Sequence, residues 1–97
     1  MKIIGVIWYE KIVEKINQKH HVKCHEIEEL FSDKPMFRFV EKGFRNSEDV
    51  YAALGKTNAG RFLVIFFIYK KDHYALILSA RDMTRGEKNR YEKKQKN

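Results

Sequence analysis

The sequence predicts an α+β domain in which two N-terminal helices pack on a four- to five-stranded antiparallel sheet and a third helix closes the chain. Three observations predict it. Apolar residues recur with a helical period between residues 9 and 31. From residue 36 to 80 the pattern changes to short β-branched and aromatic runs divided by turn residues. Thr84, followed three residues later by Glu87, then reads as the capping box of a final helix.

Residues 3–8 are apolar and partly β-branched, which suits a first strand. Over residues 9–19, Ile12, Val13 and Ile16 share one helical face, with Glu10, Lys11, Glu14 and Lys15 elsewhere. His20-His21-Val22-Lys23 interrupts that period. A second helix is expected from about Cys24 to Phe31, with Ile27, Leu30 and Phe31 on its apolar face and Glu26, Glu28 and Glu29 favoured by the dipole of its first turns. Ser32-Asp33-Lys34-Pro35 ends it.

Residues 36–41 form an aromatic-rich strand, and residues 42–49 a polar loop containing Gly43 and Asn46-Ser47. The next strand covers residues 50–56. In Thr57-Asn58-Ala59-Gly60, Asn and Gly can supply the positive φ of a tight turn. Residues 61–70 are apolar on both faces, so they predict a central strand covered twice. Lys71-Asp72-His73 turns the chain into a last strand over residues 74–80. Strands joined by turns this short must run antiparallel.

Composition bounds the function. At 97 residues the chain is long enough for one modest core, and residues 1–97 are read as one domain. With 43% hydrophobic residues it is globular rather than disordered. Twenty Lys and Arg against 13 Asp and Glu give a net charge of +7, which favours a polyanionic partner such as RNA. Four of those seven charges fall from Arg81 onward, where seven basic residues meet three acidic ones. Cys24 is the only cysteine, so no disulfide framework or cysteine-based zinc finger is possible. No apolar run approaches the ~18 residues that span a bilayer, and no secretory cleavage pattern follows the first strand. A cytoplasmic protein without a membrane partner is expected.

Three constellations could carry chemistry. His20, His21, Cys24 and His25 are metal-ligand types, but the helix break between them spoils the spacing and no further ligand pattern recurs; surface histidines are the preferred reading, with no metal and no cofactor. Lys56, Arg61 and Arg81 stand at strand ends that can converge on one sheet edge, where guanidinium groups would hold phosphate. The competing reading is a scatter of ordinary strand-end charges. Metal-free RNA cleavage also needs a proton acceptor and donor, for which His20, His73, Asp49 and Tyr91 are the available types. Tyr51, Phe44 and Tyr69 could stack bases.

Three segments in register resemble the BrnT toxins of type II toxin–antitoxin systems. Asp49-Val50-Tyr51-Ala52-Ala53-Leu54-Gly55-Lys56-Thr57-Asn58-Ala59-Gly60-Arg61 matches the family's (E/D)-R-Y-x-A-L-G-(R/K)-T-x-x-G-R. Leu78-Ser79-Ala80-Arg81-Asp82-Met83-Thr84-Arg85-Gly86-Glu87-Lys88-Asn89-Arg90-Tyr91-Glu92 matches I-S-A-R-x-x-T-x-x-E-R-x-x-Y-E. Trp8, Lys19-His20-His21-Val22 and the glutamates of the second helix match the family's start.

The resemblance implies a RelE-like fold and a metal-independent endoribonuclease that halts growth. It implies Asp49, Lys56, Arg61, Arg81 and His20 as catalytic positions, and the RNA-binding set is taken as Arg85, Lys88, Tyr91 and Tyr51. It further implies a ribbon-helix-helix antitoxin, two toxins on one antitoxin dimer, with operator DNA bound only through the antitoxin. Three positions depart from the family: His21 replaces a helix-capping glycine, Val50 an arginine, and Gly86 a charged residue. The rival classes are a non-catalytic RNA- or protein-binding module and a structural subunit that exists for its antitoxin. Asp49 and Lys56, seven residues apart, would face opposite sides of one regular strand.

Overall fold

The computed structural model describes residues 1–45 and 48–96. The expected loop over residues 42–49 includes Asn46 and Ser47, which lie outside the described residues. The elements follow as β1 (Gly5–Ile7), α1 (Glu10–His20), α2 (Cys24–Ser32), β2 (Met36–Glu41), β3 (Val50–Lys56), β4 (Phe62–Tyr69), β5 (Tyr74–Asp82) and α3 (Arg85–Gln95).

The sheet order is β1-β5-β4-β3-β2. β2 to β5 form the antiparallel meander that their short connections require. β1 instead pairs parallel with β5, with Gly5 opposite Tyr74 and Ile7 opposite Leu76. The sheet is therefore mixed, not wholly antiparallel. No turn joins β1 to β5; the chain passes through two helices and three strands between them, so nothing local fixes their relative direction.

β4 is central and covered on both sides, as its two-faced apolarity requires. Leu63, Ile65 and Phe67 are buried against Ile16 of α1 and Ile27 and Leu30 of α2. On the other face Val64 joins Ala52, Leu54 and Tyr91 of α3, with Met36, Phe62, Phe66 and Met83 around them. A Cβ on Gly55 would stand 2.8 Å from the Leu30 side chain, so this glycine lets α2 approach β3. In the β3–β4 turn Gly60 takes the positive φ, at 92°, and its N–H donates to the Thr57 carbonyl.

Two boundaries differ from expectation and bear on the site. α1 continues through His20, and His21 takes the left-handed conformation at φ 53° and ψ 37°, with its N–H donating to the Asn17 carbonyl. The capping position is thus held by a residue with a Cβ, a conformation that glycine adopts at lower cost. β5 runs two residues past Ala80: Asp82 pairs with Leu63 and the Met83 N–H donates to the Phe62 carbonyl. Arg81 therefore lies inside a strand, with its direction set by the pleat.

Candidate functional site

Lys56, Arg61 and Arg81 do gather at one end of the sheet, but on two faces. Lys56 pairs with Phe62, and Arg81 pairs with Val64, on the side covered by α3. Arg61 reaches the opposite side, towards the end of α1 and the start of α2. A strand alternates its side chains between faces, so Arg61 and its neighbour Phe62 stand back to back across the rim of the sheet.

All five N–H donors of Arg61 are engaged. Nε donates to Asp82 Oδ1 at 2.8 Å and Nη2 to Asp82 Oδ2 at 3.3 Å. Nη1 donates to the His21 carbonyl at 2.7 Å and to the Glu26 carboxylate at 3.3 Å. Nη2 also donates to the His20 carbonyl at 2.7 Å. The guanidinium thus caps carbonyls that the end of α1 leaves without helical partners, and it binds that end to β4 and β5. Hydrogen bonding and charge from Asp82, with Glu26, make Arg61 hold its proton more tightly than usual. The Arg61 bond in turn pulls the Asp82 carboxyl below the usual range, with His20 adding to the effect. Two carboxylates already compensate the charge that Arg61 would offer a phosphate.

Arg81 is bound in the same way. Nη1 and Nη2 donate to Glu87 Oε1 and Oε2 at 2.7 and 3.0 Å, a bidentate pair, and the guanidinium lies 5.3 Å from the centroid of Phe66. Glu87 also accepts from the Thr84 N–H at 2.9 Å, while the Glu87 N–H donates to Thr84 Oγ1 at 3.2 Å, which completes the expected capping box. The Arg81 bonds and the Thr84 N–H hold the Glu87 carboxyl down at about 2 against its burial. Arg81 anchors the last helix to the sheet.

Two lysines in no ion pair among the described residues gather at Phe62. Lys88 Nζ is 4.5 Å and Lys56 Nζ 5.4 Å from its ring centroid, and Tyr91 meets the same ring edge-on at 6.1 Å. Lys56, Phe62 and Tyr91 line a cavity of about 320 Å³ together with Asp33, Glu92 and Lys96. Burial, and then the charge of Asp33, pushes the Tyr91 phenol up, so it keeps its proton. Arg85, the first residue of α3, is exposed nearby in sequence.

Asp49 is not part of this arrangement. It precedes β3, at the opposite end from Lys56, and its Oδ1 accepts the Gly43 N–H at 3.0 Å. Seven residues of extended strand separate the two positions by roughly 23 Å. Tyr51 lies with Asp49, stacked on Phe67 and lining a separate cavity with Tyr69, Lys70 and Lys71. His20 ends α1 beside Lys15, Lys19, Leu78 and Ser79, close enough to Asp82 to act on its charge. Among the described residues no group of three His, Cys, Asp or Glu side chains is arranged to hold a metal. Burial, then Glu28, raises the Cys24 thiol, so it is not an activated nucleophile.

The sequence reading missed the acidic half of the site: Glu26, Asp82 and Glu87 each hold an arginine. Only Glu87 carried a local signal, as the third residue of its capping box. Glu26 and Asp82 are 35 and 21 positions from Arg61, and no local pattern links them.

A family model described as "Ribonuclease toxin, BrnT, of type II toxin-antitoxin system" matches residues 8–87. Among solved structures, the crystal structure of the Brucella abortus ribonuclease toxin BrnT aligns with a TM-score of 0.58 at 17% identity, over 84% of this chain and 97% of that one. At that identity the likeness concerns the fold. No curated protein matches the sequence.

Proposed function

Because the chain belongs to the BrnT family of ribonuclease toxins of type II toxin–antitoxin systems, we propose that it cleaves RNA without a bound metal at the end of the sheet where β3 meets β4. The observation that carries this reading is the pairing of Lys56 and Lys88 over Phe62 beside the buried phenol of Tyr91. Two ammonium groups that make no ion pair among the described residues can hold a phosphate as charge develops on it.

The reaction is attack of a 2′-hydroxyl oxygen on the adjacent phosphorus. The bond to the 5′-oxygen breaks, leaving a 2′,3′-cyclic phosphate and a 5′-hydroxyl. The proton of the 2′-hydroxyl passes to solvent, since His20 stands on the opposite face with the end of α1. Tyr91, which burial keeps protonated, gives one to the leaving 5′-oxygen. Arg61 and Arg81 act here as positioning residues, the first fixing the His20 end of α1 and the second fixing α3 under Lys88 and Tyr91. Asp49, at the far end of β3, takes no part in the chemistry.

The test is RNA integrity on a gel, followed with purified protein in EDTA. Cleavage should persist there, and Tyr91→Phe and Lys56→Ala should each slow it by about 10²–10³-fold with an unchanged thermal midpoint. A requirement for magnesium would overturn the metal-free reading. One observation favours a second reading, binding without cleavage: both arginines in the family-like motifs are neutralised by internal carboxylates. RNA that binds but stays intact would select it. In either case the partner is an antitoxin, proposed as a ribbon-helix-helix dimer that carries two toxins and contacts operator DNA itself.

A further inference from the structure

The opposite end of the sheet carries a feature that the cleavage site does not use. Four rings run across three strands and a turn: Phe39 of β2 lies 5.7 Å from Tyr51 of β3, Tyr51 lies 6.3 Å from Tyr69 of β4, and Tyr69 lies 5.7 Å from His73. Phe39 pairs directly with Tyr51 across the strands, so the rings belong to one face. Phe39 is 49% exposed. The Tyr69 hydroxyl is fixed between the Lys2 carbonyl and His73 Nδ1, so its ring is held in place.

Beside these rings lies a cavity of about 380 Å³ lined by Asp49, Tyr51, Tyr69, Lys70 and Lys71. Asp49 Oδ1 is taken by the Gly43 N–H. Its second oxygen accepts no hydrogen bond among the described residues. Asp72, in the β4–β5 turn, accepts the Tyr74 N–H through Oδ1 and does not line this cavity.

We propose that this is a second RNA contact, a stacking platform for single-stranded bases, and it rests on the reading of the chain as an RNA-binding toxin. Ordered aromatic faces accept any base, and nearby ammonium groups take the phosphates between them. The Asp49 oxygen that accepts no hydrogen bond among the described residues selects for a base with an exocyclic amino group, such as N4 of cytosine, over uracil, which has none. The platform stands at the far end of β3 from Lys56, so it holds the strand away from the scissile bond.

The test uses fluorescently labelled 2′-O-methyl oligonucleotides, which lack the attacking hydroxyl, and reads affinity by anisotropy. Phe39→Ala should weaken binding about ten-fold, the loss of one base stack. Lys71→Glu, at an exposed position, should weaken it and reduce the salt slope. Oligo(C) should bind more tightly than oligo(U), and Asp49→Asn should remove that preference. If Phe39→Ala and Lys71→Glu bind like wild type while Lys56→Ala binds more weakly, the platform is wrong and the cleavage-site reading stands. If wild type binds no oligonucleotide, both fail. If the two platform variants lose antitoxin and keep RNA, the face is a protein interface and the proposal is overturned.

Discussion

Arg61 shows how one side chain can join four segments of chain. Its fork donates to two helix-terminal carbonyls and two carboxylates, and the side chain is 27% exposed. Alanine there would leave Glu26 and Asp82 facing each other and the α1 carbonyls without donors. We expect a loss of about 2 kcal/mol, roughly 10 °C in thermal midpoint for a domain of this size. Lysine should restore the charge but not the fork, and so only part of that loss. An Arg61→Ala variant that melts like wild type would contradict the clamp. Glu87 gives a pH prediction of definite sign. Its folded carboxyl lies at about 2, below its ordinary 4.5. The stabilisation is therefore complete above pH 4.5 and is lost as pH falls towards 2. Acid titration of the thermal midpoint should fall across that window, and Glu87→Gln should flatten it while lowering the midpoint at pH 7.

At the scale of elements, two helix positions are held below their best residue. His21 bears the left-handed cap of α1 and its side chain is exposed, so little contact is lost with it. His21→Gly should raise stability by about 0.5–1 kcal/mol. Gly86 sits in the first turn of α3, and a Cβ there would meet nothing within 4 Å. Gly86→Ala should stabilise that helix by up to ~1 kcal/mol. Both gains are measurable as a rise in the denaturant midpoint without a change in slope. The reverse holds for β4, where Ile65 is 0% exposed between two covered faces. Ile65→Asp would bury a charge without a partner and should abolish cooperative melting.

For the whole molecule, the net charge of +7 is not uniformly usable. Glu26, Asp82 and Glu87 neutralise Arg61 and Arg81, while Lys56, Lys88, Lys70 and Lys71 are in no ion pair among the described residues. RNA affinity should fall steeply with salt through these lysines, because each phosphate contact releases counterions. A salt titration of Lys56→Ala against Arg61→Lys separates them: the first should reduce the slope and the second should leave it unchanged. A slope insensitive to Lys56 would move the phosphate site elsewhere.

The strands, their turns, the central place of β4 and the capping box of α3 were all legible from residue pattern, because each depends on neighbours within about ten positions. The left-handed cap at His21 was legible too, from the glycine it replaces in the family pattern. The parallel pairing of β1 was not, since strand direction across a long crossover leaves no local mark. Nor was the fate of the two arginines. Their type and position suggested a phosphate cradle, but the pleat sends them to opposite faces, and each meets a carboxylate supplied by the fold. The sequence by itself determined which residues could hold an anion. The tertiary structure decided which cations were already held, because an ion pair depends on distances that only the packed helices and sheet set.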